Sequence, residues 1–117
     1  MDALPQGDAL ELAQLVRDGE VTASELMEAA IRSAERINPQ LNAIVHPLFD
    51  LGRAEAQSAL SGPFAGVPFL IKDLLCDLAG HPISSGSRFL KDRVPARDST
   101  LVTRYKQAGL AIFGKTN

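Results

Sequence analysis

The chain has 117 residues, of which 45% are hydrophobic and 22% are charged, and its formal net charge is −2. This length predicts one domain at most, and the composition is that of an ordinary globular protein. No basic patch stands out and no apolar run approaches the length of a bilayer span, so neither nucleic acid nor a membrane is an expected partner.

The single cysteine, Cys76, excludes an internal disulfide framework. One unpaired thiol fits a reducing compartment. The first ten residues, MDALPQGDAL, lack the basic start and apolar core of a signal peptide. These features predict a cytoplasmic location.

Two capping boxes predict two helices at the start of the chain. Asp8 is followed three residues later by Glu11, and Thr22 by Glu25. Gly19 provides a stop for the first helix. The two boxes therefore place helix starts at residues 8 and 22.

The second helix has the clearest amphipathic pattern in the chain. We expect Pro39 to end it, because proline disfavours helical backbone at the preceding residue, Asn38. Neither helix carries a group suited to chemistry, so residues 8–38 are predicted to be a helical scaffold. The apolar positions recur at helical spacing: Met27, Ala30, Ile31, Ala34 and Ile37.

Residues 41–117 are predicted to begin a sheet core. A short strand is expected over Leu41–His46, followed by a helix that Asp50 caps and that runs through Leu60. A fourth helix is expected over Ser99–Gln107, capped by Asp98. The chain thus alternates between helices and strands.

The stretch Gly62–Asp73 reads GPFAGVPFLIKD. Its glycines and prolines indicate a turn, and Val67–Ile71 then forms an apolar run. Such a run, bounded by turn residues, predicts a strand buried on both faces. Lys72 follows it, on the face of Leu70, and Asp73 falls on the opposite face.

Lys72 has two interpretations. A lysine at a strand end is commonly solvated or paired with a carboxylate. The alternative is that Lys72 is partly desolvated and serves as a general base, since open α/β sheets hold their ligands at the carboxyl ends of strands. A second apolar run, Leu110–Phe113, predicts another strand, and helices alternating with strands predict an α/β fold with a mixed or mainly parallel sheet.

Other residues could carry chemistry. His46 or His81 could be a base or metal ligand, but neither has a second ligand at suitable spacing. Cys76 could be a nucleophile, although a lone cysteine is more often a small buried hydrophobe. The run Ser84–Ser87 is rich in serine but lacks the G-x-S-x-G pattern of a nucleophile elbow.

The end of the chain matches the phosphate-loop pattern G-x-x-x-x-G-K-S/T through Gly109, Gly114, Lys115 and Thr116. The four intervening residues, Leu110–Phe113, favour a buried strand over a loop that wraps phosphate. Nucleotide binding nevertheless remains one hypothesis for the function of this chain.

GPFAGVPFLIKD, the later SSGS and the terminal DSTLVTRYKQAGLAIFGKTN together resemble the N-terminal part of the amidase signature family, from about Asp8 to Asn117. The segments LVRDGEVTASEL and GPFAGVPFLIKDL most resemble hydrolases of nylon-type cyclic amides. The resemblance implies the N-terminal part of the amidase signature fold, incomplete in this chain, with a sheet flanked by helices.

The resemblance also implies a Ser–cis-Ser–Lys triad in which Lys72 is the basic member. Both serines come from a later Gly/Ser-rich segment that this chain lacks. The chain alone is therefore expected to be inactive, to need no cofactor, and to self-associate or require the rest of an amidase domain. The full-length enzyme would act on a small-molecule amide. The alternative is a non-catalytic binding or assembly module that uses the same half of the fold.

Overall fold

The computed structural model describes Met1 and residues 3–117. The described residues form four α-helices and three strands, which alternate after the first two helices. None of the helices in this part of the chain is long and apolar enough to cross a bilayer. The elements are α1 (Ala9–Arg17), α2 (Ala23–Leu41), β1 (Ile44–Pro47), α3 (Phe49–Gln57), β2 (Pro68–Lys72), a 3₁₀ turn (Arg88–Leu90), α4 (Thr100–Gln107) and β3 (Ala111–Thr116).

Both predicted capping boxes are present. The Asp8 carboxylate accepts from the N–H of Glu11 at 3.0 Å, and the Glu11 side chain accepts from the N–H of Asp8 at 2.8 Å. Thr22 and Glu25 form the same reciprocal pair at the start of α2. Each box satisfies N–H groups that have no partner within the helix, which fixes where the helix begins.

The predicted end of α2 is wrong, because the helix passes through Pro39 and ends at Leu41. Pro39 removes only one hydrogen bond in the last turn. The Asn38 side chain compensates by bonding both the N–H and the C=O of Ile44, at 2.8 and 3.0 Å. Asn42, in the left-handed region with φ of 48°, then ends the helix. Strand β1 consequently begins later than predicted, at Ile44.

The predicted cap and end of α3 are also wrong. The residue before the helix is Leu48, which has no side-chain capping bond, and the helix ends at Gln57. Asp50 lies in the first turn instead and pairs with Arg53 at 3.2 Å. A carboxylate in the first turn still favours the helix start, through the helix dipole.

The cap of α4 is Ser99 rather than Asp98. The Ser99 hydroxyl accepts from the N–H of Val102 at 3.2 Å. Asp98 instead accepts from the N–H of Ala79 and from Lys106 Nζ, both at 2.8 Å. Asp98 therefore fastens the preceding loop to α4.

The three strands form one sheet in the order β1–β3–β2, with β3 antiparallel to β1 and parallel to β2. The mixed sheet agrees with the predicted α/β class. The central strand is β3, which extends through Gly114, Lys115 and Thr116 because these residues pair with both neighbours. Strand β2 lies at an edge, and its residues Pro68–Leu70 are only half buried, contrary to the prediction of a strand buried on both faces.

Helices cover β3 on both sides, and side-chain alternation divides the core accordingly. Ala111 and Phe113 pack with residues of α2 and α3, whereas Ile112 packs with Val102 of α4. The N–H of Ile112 donates to Glu55 of α3 at 2.7 Å, and burial raises the pKa of that carboxyl. A third cluster lies around α1 and contains Leu12, Ala13, Val21, Leu26, Val67 and Leu110.

Gly52 marks the closest approach of α3 to the sheet. A Cβ at this position would lie 2.4 Å from Phe113 Cβ and 2.9 Å from Met27 Sδ. A glycine inside a helix costs about 0.5–1 kcal/mol relative to alanine, so helix propensity alone predicts that Gly52→Ala stabilises the protein. The packing predicts the opposite, that Gly52→Ala destabilises the protein.

We expect Gly52→Ala to lower the free energy of unfolding by about 1–3 kcal/mol, because overpacking outweighs the gain in helix propensity. Urea denaturation at a fixed protein concentration measures the change. Ala54→Gly, at an exposed position of the same helix, serves as the control and should show only the propensity cost of about 1 kcal/mol. A more stable Gly52→Ala variant would contradict the close approach of α3 and β3.

Candidate functional site

Lys72 ends β2 at the carboxyl edge of the sheet. Its register partner on β3 is Thr116, and its side chain is exposed. Lys72 Nζ donates to the main-chain oxygen of Asn117 at 2.8 Å. No Asp or Glu side chain pairs with Lys72 among the described residues, and the Lys72 side chain is exposed.

Asp73, the next residue, points to the opposite face of the sheet, as predicted, and is 5% exposed. Its carboxylate accepts from the N–H of Ser84 at 3.1 Å and from Ser84 Oγ at 2.5 Å. Oδ1 also lies 3.5 Å from His46 Nε2. The main-chain N–H of Asp73 donates to Thr116 O at 2.8 Å. Hydrogen bonds therefore hold Asp73 to β3 and to the loop at Ser84, and His46 Nε2 of β1 lies nearby without a hydrogen bond to a described residue.

Lys115 is fully buried on the same face of the sheet as Asp73, because its register partner on β2 is Ile71, two residues before Asp73. It pairs in register with His46 on one side and Ile71 on the other. Nζ makes no hydrogen bond to any described residue. Burial lowers the pKa of Lys115, and the charge of Asp73 is the strongest of the attractions that oppose this shift. We call His46, Asp73, Ser84 and Lys115 the strand-end cluster.

An apolar groove of about 520 Å³ runs along the other face of the sheet, between α2 and the strands. Thr116, the register partner of Lys72, and Leu70, on the same face as Lys72, belong to its wall. No titratable side chain lines the groove in the described part of the chain. The groove can therefore hold apolar groups but supplies no acid or base of its own.

The structure brings His46 to Asp73 but leaves the other histidine apart from this pair. His81 is half buried in a loop, where burial lowers its pKa. Cys76 is buried among Ile71, Leu78 and Val102, which confirms its interpretation as a small hydrophobe. The described residues contain no group of three His, Cys, Asp or Glu placed to hold a metal ion.

The phosphate-loop hypothesis is wrong. Gly114, Lys115 and Thr116 lie inside β3, where their backbone groups pair with β1 and β2. A phosphate loop needs free N–H groups that converge on the anion. The alternative prediction, a buried strand over Leu110–Phe113, is confirmed from Ala111 onward.

The strand-end cluster was missed by sequence reasoning. The sequence places Lys115 in the phosphate-loop pattern and in the terminal segment that resembles the amidase family, and Asp73 after Lys72, but does not connect the two. The available signals were the second charged residue after an apolar run, Asp73, and a charged residue after the terminal apolar run, Lys115. Strand pairing was needed to show that the two ends meet.

Fold and site together define an α/β protein whose candidate site is a lysine at the carboxyl edge of a mixed sheet. The family model described as Amidase matches residues 25–117. The chain therefore belongs to the amidase family, which confirms the resemblance.

Two relatives illustrate the range within this family. The chain is 42% identical to 6-aminohexanoate-cyclic-dimer hydrolase of Paenarthrobacter ureafaciens, over 94% of this chain and 22% of the relative. It is 40% identical to a lipoamidase of Enterococcus faecalis, over 96% of this chain and 16% of the relative. A solved structure of 6-aminohexanoate cyclic dimer hydrolase complexed with substrate superposes with a TM-score of 0.89 at 41% identity, over 95% of this chain and 23% of the other. The chain thus spans less than a quarter of the length of these proteins.

Ser84→Ala tests the support of Asp73. The variant removes the hydroxyl that donates to the buried carboxylate, and a hydrogen bond to a charged group contributes about 1.5–3 kcal/mol. We expect the free energy of unfolding at pH 7 to fall by about this amount. Ser87→Ala, in the same serine-rich loop and without a side-chain capping bond, should change it by less than about 0.5 kcal/mol. Equal effects of the two variants would show that the Ser84 hydroxyl contributes nothing specific.

Proposed function

We propose that this chain is the N-terminal segment of an amide-bond hydrolase of the Ser–cis-Ser–Lys type, and that Lys72 is its general base. The observation that carries the proposal is the position of Lys72. It ends a strand of a fold shared with amidases, and its side chain is exposed and free of an Asp or Glu partner in the described residues. Both serines would come from the remainder of the domain.

In the complete enzyme Lys72 would accept a proton from the bridging serine, which in turn takes one from the nucleophilic serine. The nucleophile then attacks the amide carbonyl, the amine leaves, and water releases the acid from the acyl-enzyme. A lysine accepts protons near pH 7 only when its surroundings lower its pKa by about three, which costs about 4 kcal/mol. The Lys72 side chain is exposed, so in the complete enzyme a covering segment would have to exclude water from it.

The substrate class follows from the relatives only in outline. We propose a small non-peptide amide, and within that class the cyclic amides of the 6-aminohexanoate type. The 42% identity to a cyclic-dimer hydrolase supports this choice, whereas the 40% identity to a lipoamidase shows that nearly equal similarity occurs with another named activity. We also propose a cytoplasmic location, since the single thiol is buried and unpaired.

A second candidate is a non-catalytic binding or assembly module. The groove favours it, because this surface is apolar and carries no titratable side chain in the described residues. Ile37 and Leu41, which line the groove, are 43% and 65% exposed. An exposed apolar surface of this kind commonly marks a site of contact with another polypeptide.

A chimera tests the catalytic proposal. In it, this chain replaces the matching N-terminal quarter of the cyclic-dimer hydrolase. We expect the chimera to hydrolyse the cyclic dimer and Lys72→Ala to reduce kcat by roughly 10²–10⁴-fold, the usual contribution of a general base. Lys91→Ala, at an exposed lysine outside the sheet, should leave kcat unchanged. The 117-residue chain alone should show no turnover.

Two results would contradict the catalytic proposal. One is a folded Lys72→Ala chimera that keeps its activity. The other is turnover by the isolated chain above that of its own Lys72→Ala variant, since the isolated chain would then need no serine from a later segment.

The isolated chain should self-associate at low micromolar concentration. Its groove exposes apolar side chains, and β1 and β2 each present one unpaired edge within the described sheet. We expect sedimentation to show oligomers and Leu41→Lys to shift them towards monomer. Leu10→Lys, at a position that is 54% exposed on α1 and outside the groove, is the matched control. A monodisperse monomer with strongly protected amides in β2 and β3 would favour the independent module instead.

A further inference from the structure

The strand-end cluster spans all three strands at the point where Lys72 leaves the sheet. His46 belongs to β1, Lys115 to β3, and Asp73 directly follows β2. The His46–Asp73 contact of 3.5 Å therefore bridges the two edge strands across the central one. Lys115 lies between them, because it is the register partner of His46.

The cluster is costly to bury. Removing a carboxylate and an amine from water carries a penalty of several kcal/mol per ion unless hydrogen bonds or opposite charges offset it. The Asp73 carboxylate has such an offset, because it accepts two hydrogen bonds from Ser84. Lys115 Nζ has no hydrogen bond to a described residue and forms no ion pair with one, and among the charges around it that of Asp73 attracts it most strongly. Burial on one face of the sheet and this attraction across the pairing of β2 with β3 therefore link Lys115 to Asp73.

Adjacent residues of a strand project to opposite faces. Contacts that fix the Asp73 side chain on one face also fix the peptide bond between Asp73 and Lys72. They therefore set the direction in which the Lys72 side chain projects from the other face. We propose that Asp73 and Lys115 are positioning residues for Lys72, which they hold through the backbone and without contact to substrate. This inference rests on the proposed function for its purpose, because it assigns Lys72 the role of base.

Other charged groups around Lys115 act less directly. Asp77 attracts it more weakly than Asp73 does and forms a bidentate pair with Arg93 at 3.0 Å. Asp77 is therefore already satisfied by a partner of its own. Its carboxylate provides a matched control, since it carries the same charge near the same amine but does not adjoin Lys72.

The experiment uses the 117-residue chain with Leu41→Lys, the substitution expected to shift it towards monomer, and with ¹³C label at the lysine Cε atoms and ¹⁵N label in the backbone. NMR measures two properties: the hydrogen-exchange rate of the Asp73 amide, which bonds Thr116, and the order of the Lys72 side chain. The variants are Asp73→Asn and Lys115→Met, with Asp77→Asn as the charge control. Gly52→Ala, which perturbs α3 on the other face, is the control for general loss of stability.

We expect both cluster variants to speed exchange at Asp73 by roughly tenfold or more relative to the amides of α2, the change expected from losing one charged interaction. The order of the Lys72 side chain should fall to that of exposed Lys91. Asp77→Asn and Gly52→Ala should change neither property selectively. The proposal is overturned if, in either cluster variant, the exchange rate of the amide at position 73 and the order of the Lys72 side chain equal their values in Gly52→Ala. None of these readouts needs substrate, so an inactive chimera would count against the proposed function and not against this inference.

Discussion

The fold depends on β3 being paired with a strand at each edge and covered by helices on each face. Two strands pair with its backbone, helices α2 and α3 cover one face, and α4 covers the other. Ala111 and Ile112 are wholly buried as a result. Where no strand reaches the N–H of Ile112, the carboxylate of Glu55 accepts its hydrogen bond at 2.7 Å. Buried backbone groups without partners are costly, so these contacts determine the arrangement of the surrounding elements.

The sheet separates two kinds of chemistry at its carboxyl edge. Lys72 projects to one face, where its side chain is exposed and donates to the main-chain oxygen of Asn117. Asp73 projects to the other, where the buried carboxylate accepts from Ser84 and lies 3.5 Å from His46 Nε2. Side-chain alternation thus lets two adjacent residues occupy opposite environments. A segment that covered the exposed Lys72 amine could convert it into a general base, and the buried Asp73 would fix the orientation of the Lys72 side chain.

The family relationship gives the exposed surfaces a simple interpretation. The chain spans about a quarter or less of the length of the amidases it resembles. Its groove, its exposed residues Ile37 and Leu41 and its two edge strands are surfaces that in a larger sheet protein would be covered. Coverage of the same surfaces would also desolvate the neighbourhood of Lys72. Cohesion of the fold and activation of the lysine would then depend on the same contacts.

The sequence alone determined the local structure, because local signals act over a few residues. The capping boxes at Asp8 and Thr22, the order of helices and strands, the alternation that separates Lys72 from Asp73, and the family were all readable. Helix ends were less so, since Pro39 is tolerated only through the bonds between Asn38 and a later strand. Only the tertiary structure decided that β3 is central and that Lys115 and Asp73 are buried on the same face. Both facts depend on pairing between segments about 40 to 70 residues apart, which no local pattern specifies.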